Sequence, residues 1–308
     1  MRGGGIHQSR YLSITVTTTR ASIFLFLGYE LNSIRTMAPF AFTSAKTALI
    51  TGGASGIGLA VAKKCLGHGM KVLIADWNTS LLAAAKEASG AGLSIAEVDV
   101  SREQDWATLQ KKVDAEFGGR LDFLFLNAGI QPSSSWGDSS SFRTLFDVNF
   151  FGVINGISAF LPTVKATPGS AIVITGSKQG ITNPPGNPAY NASKSAVKTV
   201  TEHLSFDLRA DDTSVHLLVP GWTFTGLGGS GSGREKPAAA WTSEQVADYL
   251  EEKMAKDEFY IICPDNEVTE EMDVKRMTWA SKELSERRPP LGRWRDEVKE
   301  EYSRWSQS

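Results

Sequence analysis

Tyr190 and Lys194 stand four residues apart in Tyr-Asn-Ala-Ser-Lys, at the start of a stretch that reads as helix to about Leu208. Positions i and i+4 share a helix face, which sets an ammonium beside a phenol. A free tyrosine titrates at about pH 10, too high for a base at neutral pH. A neighbouring cation stabilises the phenolate and draws that value down toward the working range. Such a phenol can take a proton from an alcohol or return one to a carbonyl oxygen. Ser177 lies 13 residues earlier, just past the apolar run Ala171–Ile174, and its hydroxyl can hydrogen-bond the same oxygen as charge develops there. Gln179 is a further polar candidate for substrate contact, while Lys178 between them reads as solvent-exposed.

A second constellation lies upstream. The run Thr51-Gly-Gly-Ala-Ser-Gly-Ile-Gly58 joins an apolar strand candidate to the helix candidate Leu59–Leu66. Glycines at that junction permit a tight turn and close approach to a pyrophosphate, which then rests on a helix N-terminus. Thr51, Gly52, Ser55, Gly56, Ile57 and Gly58 are therefore dinucleotide-binding candidates. Eighteen residues past Gly58 the next strand candidate ends in Asp76. A carboxylate there accepts hydrogen bonds from ribose hydroxyls and repels a 2′-phosphate, and Ala54, Ser55 and Trp77 offer no cation for that phosphate. The expectation is NAD in preference to NADP. Asp99 and Val100 follow the third strand candidate near the adenine edge, and Asn127-Ala128-Gly129 forms a small-residue turn where the cofactor ribose passes.

These residues need a frame whose strand ends converge. Short apolar runs recur at Thr47–Ile50, Lys71–Ala75, Leu93–Val98, Leu121–Leu126, Ala171–Ile174, Ser214–Val219 and Phe259–Ile262. Runs so short and rich in Ile, Leu, Val and Phe read as strands buried on both faces, with helix candidates between them. Seven strands alternating with helices predict one α/β domain: a doubly wound, Rossmann-type parallel sheet with helices on both faces and right-handed crossovers. Ser101-Arg-Glu-Gln104 reads as a capping box opening a helix that Gly118-Gly119 closes after Phe117, and Thr242-Ser-Glu-Gln245 as a second.

The 308 residues are 41% hydrophobic and 21% charged, ordinary for a globular domain. With 32 basic and 34 acidic side chains, no global field favours nucleic acid. Cys65, Cys263 and the four histidines have neither disulfide-framework nor zinc-site spacing, so no metal is expected. Residues 1–45 form an N-terminal extension, acid-free before Glu30, with Arg2, Arg10 and Arg20 among Ser and Thr. That pattern fits either a disordered tail on a cytoplasmic protein or a mitochondrial transit peptide, and Ile23–Leu27 is too short to cross a bilayer. Residues 1 to about 40 are expected to add nothing to the fold. Residues 46–265 make the catalytic domain, and 266–308 a charged tail carrying Trp279, Trp294 and Trp305, mainly a solvated face that packs on the body or on a neighbouring subunit.

Taken together, Thr51 to Gly58, Asp76, Asp99, Asn127-Ala-Gly129, Asn149, Ser177, Tyr190 with Lys194, and Pro220-Gly221 resemble the short-chain dehydrogenase/reductase superfamily, in its single-domain branch of about 250 residues. The tail segments Cys263–Asp273 and Arg288–Trp294 resemble a fungal and bacterial subgroup of unassigned substrate. The resemblance implies a catalytic set of Asn149, Ser177, Tyr190 and Lys194, in which Asn149 holds a water that links Lys194 to solvent. It implies that Pro220, Gly221, Thr223 and Thr225 lie against the nicotinamide, that Trp222 and Phe224 line the substrate pocket, and that Gly226–Gly233 closes over substrate. It further implies a small alcohol or ketone as substrate, no nucleic-acid or membrane partner, and a homodimer or homotetramer paired through the helices after Asn149 and Tyr190. Two other readings compete: a 3-oxoacyl-thioester reductase, which wants a basic rim such as Arg234 and Lys236, and a non-catalytic dinucleotide sensor, which needs no Ser177, Tyr190 and Lys194 together.

Overall fold

The computed structural model describes residues 38–228 and 235–307. The targeting reading of the N-terminal segment, most of the glycine- and serine-rich stretch and Arg234 therefore lie outside the described residues. Seven parallel strands form one sheet in the order β3-β2-β1-β4-β5-β6-β7. They are β1 Thr47–Thr51, β2 Lys71–Asp76, β3 Leu93–Glu97, β4 Phe123–Leu126, β5 Ser170–Thr175, β6 Thr213–Val219 and β7 Tyr260–Ile262. The predicted doubly wound α/β sheet is the one observed.

Strand alternation builds two cores from single runs, because successive side chains point to opposite faces. Ala48, Ile50, Val72, Ile74, Phe123 and Phe125 face one side. There they pack on α1 (Gly56–Gly67), α2 (Thr79–Ser89) and α8 (Ser243–Met254) through Val61, Cys65, Leu82, Val246 and Leu250. Leu49, Leu73, Leu124 and Leu126 face the other side. They meet α3 (Glu103–Phe117), α5 (Gly152–Lys165) and α7 (Pro188–Asp207) through Trp106, Leu109, Phe160, Val197 and Leu204. The remaining helices are α4 (Ser139–Phe146), the short α6 (Gln179–Thr182), α9 (Glu270–Ser285) and α10 (Lys299–Gln307), and a π-helical turn Asp147–Phe151 joins α4 to α5. Among the described residues no group of three or more His, Cys, Asp or Glu side chains gathers as a metal site.

Three local expectations change. The Thr242 capping box forms, but the one at Ser101 does not. Asp99 takes both the backbone N–H and the hydroxyl of Ser101, and α3 starts at Glu103 without a side-chain cap. The carboxylate is the stronger acceptor, so Ser101 is drawn back toward the strand end. Second, the domain begins earlier than Lys46. Phe40 is buried, stacks on Phe123 and meets Phe42 edge to face, so the segment just before β1 belongs to the core. Third, Lys178 is only partly exposed, and its ammonium is withdrawn from solvent toward Asp273. In the tail, α9 packs on α6, and Trp279 is buried against Tyr302 and Trp305.

Removal of the Phe40 ring should therefore unfold the protein more easily. Phe40→Ala is expected to cost about 3 kcal/mol, measured by denaturant unfolding. A wild-type midpoint would return the boundary to Lys46.

Candidate active site

A crevice of about 780 Å³ opens at the carboxyl ends of the strands. It spans the place where the strand order reverses, between β1 and β4, which is where open α/β sheets bind ligands. Its floor is cross-braced. The Thr51 hydroxyl accepts the backbone N–H groups of Asn127 (3.0 Å) and Ala128 (3.1 Å). Asn127 returns the tie, its Nδ2 donating to the carbonyls of Thr51 and Gly52 and its Oδ1 accepting the Thr175 hydroxyl at 3.0 Å. Three strand ends are thus held in one register by three side chains.

The glycine turn is forced by this crowding. Gly52 has φ +61°, and a Cβ there would lie 2.9 Å from Ala128 Cα. A Cβ on Gly58 would collide with the Gly52 carbonyl and sit 2.8 Å from Asn127 Nδ2. Thr51 and Gly58 accordingly shape the turn from behind and do not line the crevice, whereas Gly52, Ser55, Gly56 and Ile57 do. Ser55 caps α1 without a side-chain hydrogen bond, and the first turn holds no acid, so its leading N–H groups face an anion unopposed. Asp76 lies farther along the crevice, its two oxygens accepting the N–H groups of Ala54 (3.2 Å) and Asn78 (3.1 Å). Asp99, Val100, Ala128 and Gly129 complete this half.

At the other end, α7 begins at Pro188 with Asn187 as its cap. Asn187 also accepts the Ser134 hydroxyl and donates to the Pro132 carbonyl, which ties the helix start to the loop after β4. One turn along, Tyr190 is buried and lines the crevice together with Ser177. Lys194 reaches under it and donates to the Thr175 carbonyl at 2.9 Å. Its ammonium stays 6.0 Å from the centre of the Tyr190 ring. The acidification expected of the phenol calls for an oxidised nicotinamide as well as Lys194, and the chain's own groups act in the other direction. Burial raises the Tyr190 pKa, only partly offset by the Ser177 hydroxyl. Burial likewise pushes Lys194 down to about 8. The phenol is thus held in its neutral form, while Lys194 at about 8 keeps its charge at neutral pH.

Asn149 is fully buried on the π-helical turn, one layer behind the crevice. Its Oδ1 accepts the Ile130 N–H at 2.8 Å, and its Nδ2 donates to the Ile130 carbonyl and to Ser193. Its amide holds the backbone beside Gly129. Of the loop after β6, Pro220, Gly221, Trp222, Thr223 and Thr225 line the crevice. Phe224 does not. Thr223 bridges Trp241 in extended backbone, so its neighbour Phe224 points the opposite way, into a separate cavity with Leu59 and Lys63. Gln179 does line the substrate end, where Gln131 Nε2 donates to it at 3.4 Å.

Sequence reasoning passed over Thr175, Ile130, Gln131 and Trp77, all of which line the crevice. Thr175 had a signal, since it closes β5 directly before Gly176 and Ser177. Lys178 also lines the crevice, with its ammonium 2.5 Å from Asp273 of α9. A partner 95 positions away in the chain gave no local sign that this ammonium is withdrawn from solvent.

Fold and site together define an oxidoreductase of the Rossmann class. The short chain dehydrogenase family model matches residues 46–235, and the chain belongs to that family. It is 33% identical over 177 residues to the oxidoreductase asL5 of Sarocladium schorii, covering 57% of this chain and 71% of that protein. It is also 33% identical over 191 residues to 3β-hydroxysteroid dehydrogenase 2 of Eggerthella lenta, covering 59% and 73%. The crystal structure of a short chain dehydrogenase/reductase from Burkholderia phymatum in complex with NAD superposes with a TM-score of 0.73 at 28% identity, over 82% of this chain and 98% of that one.

Because the turn has no room for a side chain, Gly58→Ala is expected to displace the Gly52 backbone and cost about 2 kcal/mol. Thermal unfolding reads this directly, and an unshifted midpoint would contradict the packing described.

Proposed function

We propose that the protein interconverts a secondary alcohol and a ketone on a small organic molecule, using a nicotinamide dinucleotide, NAD in preference to NADP, with Tyr190 as general acid and base. The observation that carries this reading is the convergence of Tyr190, Ser177 and buried Lys194 on one crevice with the Ser55–Ile57 turn and Asp76. The residues present fit the dinucleotide. The open N-terminus of α1 suits a pyrophosphate. Asp76 offers remaining lone pairs to ribose hydroxyls and no cation to a 2′-phosphate. The NAD complex of the Burkholderia phymatum relative supports the same choice.

When bound, the nicotinamide supplies or accepts the hydride. The chain's own residues manage the oxygen and its proton. In the reductive direction Tyr190 Oη gives its proton to the carbonyl oxygen while Ser177 holds that oxygen by a second hydrogen bond. In the oxidative direction Tyr190 Oη takes the proton from the hydroxyl. Lys194 stands beneath the phenol as the nearby cation, and Asn149 keeps the Ile130 backbone in place.

The thioester-reductase reading finds less support, because Lys236 turns its ammonium back onto the carbonyls of Pro237 and Ala240. A homodimer or homotetramer paired through α5 and α7 is part of the proposal. The continuous helical run Ser139–Lys165 has a mean hydropathy of 1.4 in its most apolar window, yet only 33% of that window is buried. It is long and apolar enough to cross a membrane by length and composition, and a second copy would cover such a face equally well. Phe151 and Phe206 are exposed on these elements.

Tyr190→Phe is expected to lower kcat by about 10³-fold while leaving NADH affinity within about twofold, and turnover near wild type would overturn the assignment of the base. The pH dependence has a fixed sign. A raised Tyr190 pKa keeps the phenol protonated at neutral pH, which is the form reduction uses and oxidation cannot. The kcat/KM for oxidation should therefore climb through the alkaline range, while that for reduction stays level and then falls. The reverse slopes would exclude Tyr190. Asp76→Ala should narrow the preference for NAD over NADP by about tenfold, and an unchanged ratio would remove Asp76 from cofactor choice.

A further inference from the structure

The family match ends at residue 235, but the charges that hold one crevice residue from behind lie past it. Lys178 follows the catalytic candidate Ser177 directly, and its carbonyl accepts the N–H groups of Ile181 and Thr182 that open α6. Its side chain contributes to the substrate end of the crevice, and its ammonium is buried behind that wall. There it meets Asp273 Oδ2 of α9 at 2.5 Å and Asp265 Oδ2, in the turn after β7, at 3.8 Å. Neither Lys178 Nζ nor Asp273 Oδ2 has another hydrogen-bond partner. Asp265 Oδ2 also accepts the backbone N–H of Trp222 at 3.2 Å, while its Oδ1 accepts the N–H groups of Glu267 and Val268. Arg276 lies 3.9 Å from the second oxygen of Asp273.

One ammonium therefore joins the loop after β5, the loop after β6 and helix α9. Charges out of water are tolerated only while each keeps its partner, so the three segments are held to one mutual geometry. The loop after β5 carries Ser177 and Gln179, and the Gln179 N–H donates to the Ser177 hydroxyl at 3.1 Å. A shift of Lys178 thus reaches the hydroxyl that faces substrate, whereas the glycine turn and Asp76 lie at the far end of the crevice.

We propose that Lys178 is a positioning residue, clamped by Asp273 and Asp265, through which helix α9 of the tail sets the shape and selectivity of the substrate end. The inference rests on the reading of this crevice as an oxidoreductase site. It places the choice of substrate partly in a segment outside the family match.

The test uses the full-length chain and the variants Asp273→Asn and Asp273→Glu. NADH affinity is read by fluorescence, KM and kcat over a panel of ketones and alcohols, and amide hydrogen exchange over residues 176–182. Asp273→Asn is expected to raise KM by about tenfold or more and to reorder kcat/KM across the panel, with NADH affinity within about twofold. Exchange over 176–182 should quicken, and Asp273→Glu should restore most of each property. If Asp273→Asn does not fold, the pair Lys178→Met with Asp273→Leu replaces both charges by apolar side chains and should show the same altered selectivity. A folded variant with unchanged KM, selectivity and exchange would overturn the proposal, as would a parallel loss of NADH affinity. A wild type that binds NADH but turns over nothing in the panel would instead sink the functional reading, and the exchange comparison then decides the clamp by itself.

Discussion

The site depends on an ammonium taken wholly out of water. Lys194 is buried among neutral groups and has one strong acceptor, the Thr175 carbonyl. Desolvation penalises its charged form, which is why its pKa falls to about 8. The position is sustained only because the acceptor cannot move. Thr175 ends β5, its hydroxyl is held by Asn127, and Asn127 is held in turn by Thr51 and Gly52. From the other side, a Cβ on Gly129 would lie 3.5 Å from the ammonium and 3.3 Å from Asn149 Oδ1. Sheet register, glycine turn and π-helical turn all converge on one cation.

This convergence explains a division of labour among the side chains. Thr51, Gly58 and Asn149 touch neither end of the crevice directly, yet they fix the backbone that does. Asp76, Ser177 and Tyr190 face the crevice and can act on a ligand only because that backbone is fixed. The tail extends the same logic. Trp279, Tyr302 and Trp305 pack together, Arg288 lies over the Trp279 ring, and the N-terminal part of α9 is left beside Lys178 and the loop carrying Trp222.

Much of this was legible in local patterns. The alternation of buried strand faces, the Gly118 stop with φ +66° and the Thr242 cap follow from steric and hydrogen-bonding preferences that act within a few residues. The crevice half containing Gly52, Ser55, Gly56 and Asp76 was readable because a strand, a turn and a helix N-terminus in succession specify their own geometry. Three features were not readable in this way. Phe40 was assigned to a tail because the segment has no periodicity, and its burial depends on Phe123 arriving from β4. Phe224 was assigned to the pocket because it is aromatic and near Pro220, and the bridge to Trp241 turned it away. Lys178 was assigned to solvent because lysines usually are.

The amino-acid sequence by itself thus determined the sheet, its winding, the glycine turn and the Ser177, Tyr190 and Lys194 set, since each rests on contacts between near neighbours or on a period that any solvent-exposed chain must obey. Only the tertiary structure decided the protonation balance of Tyr190 and Lys194, the withdrawal of the Lys178 ammonium from solvent and the seat of α9. Those depend on how much water is excluded and on which distant carboxylate or carbonyl closes over a charge, and neither quantity exists until the elements have packed.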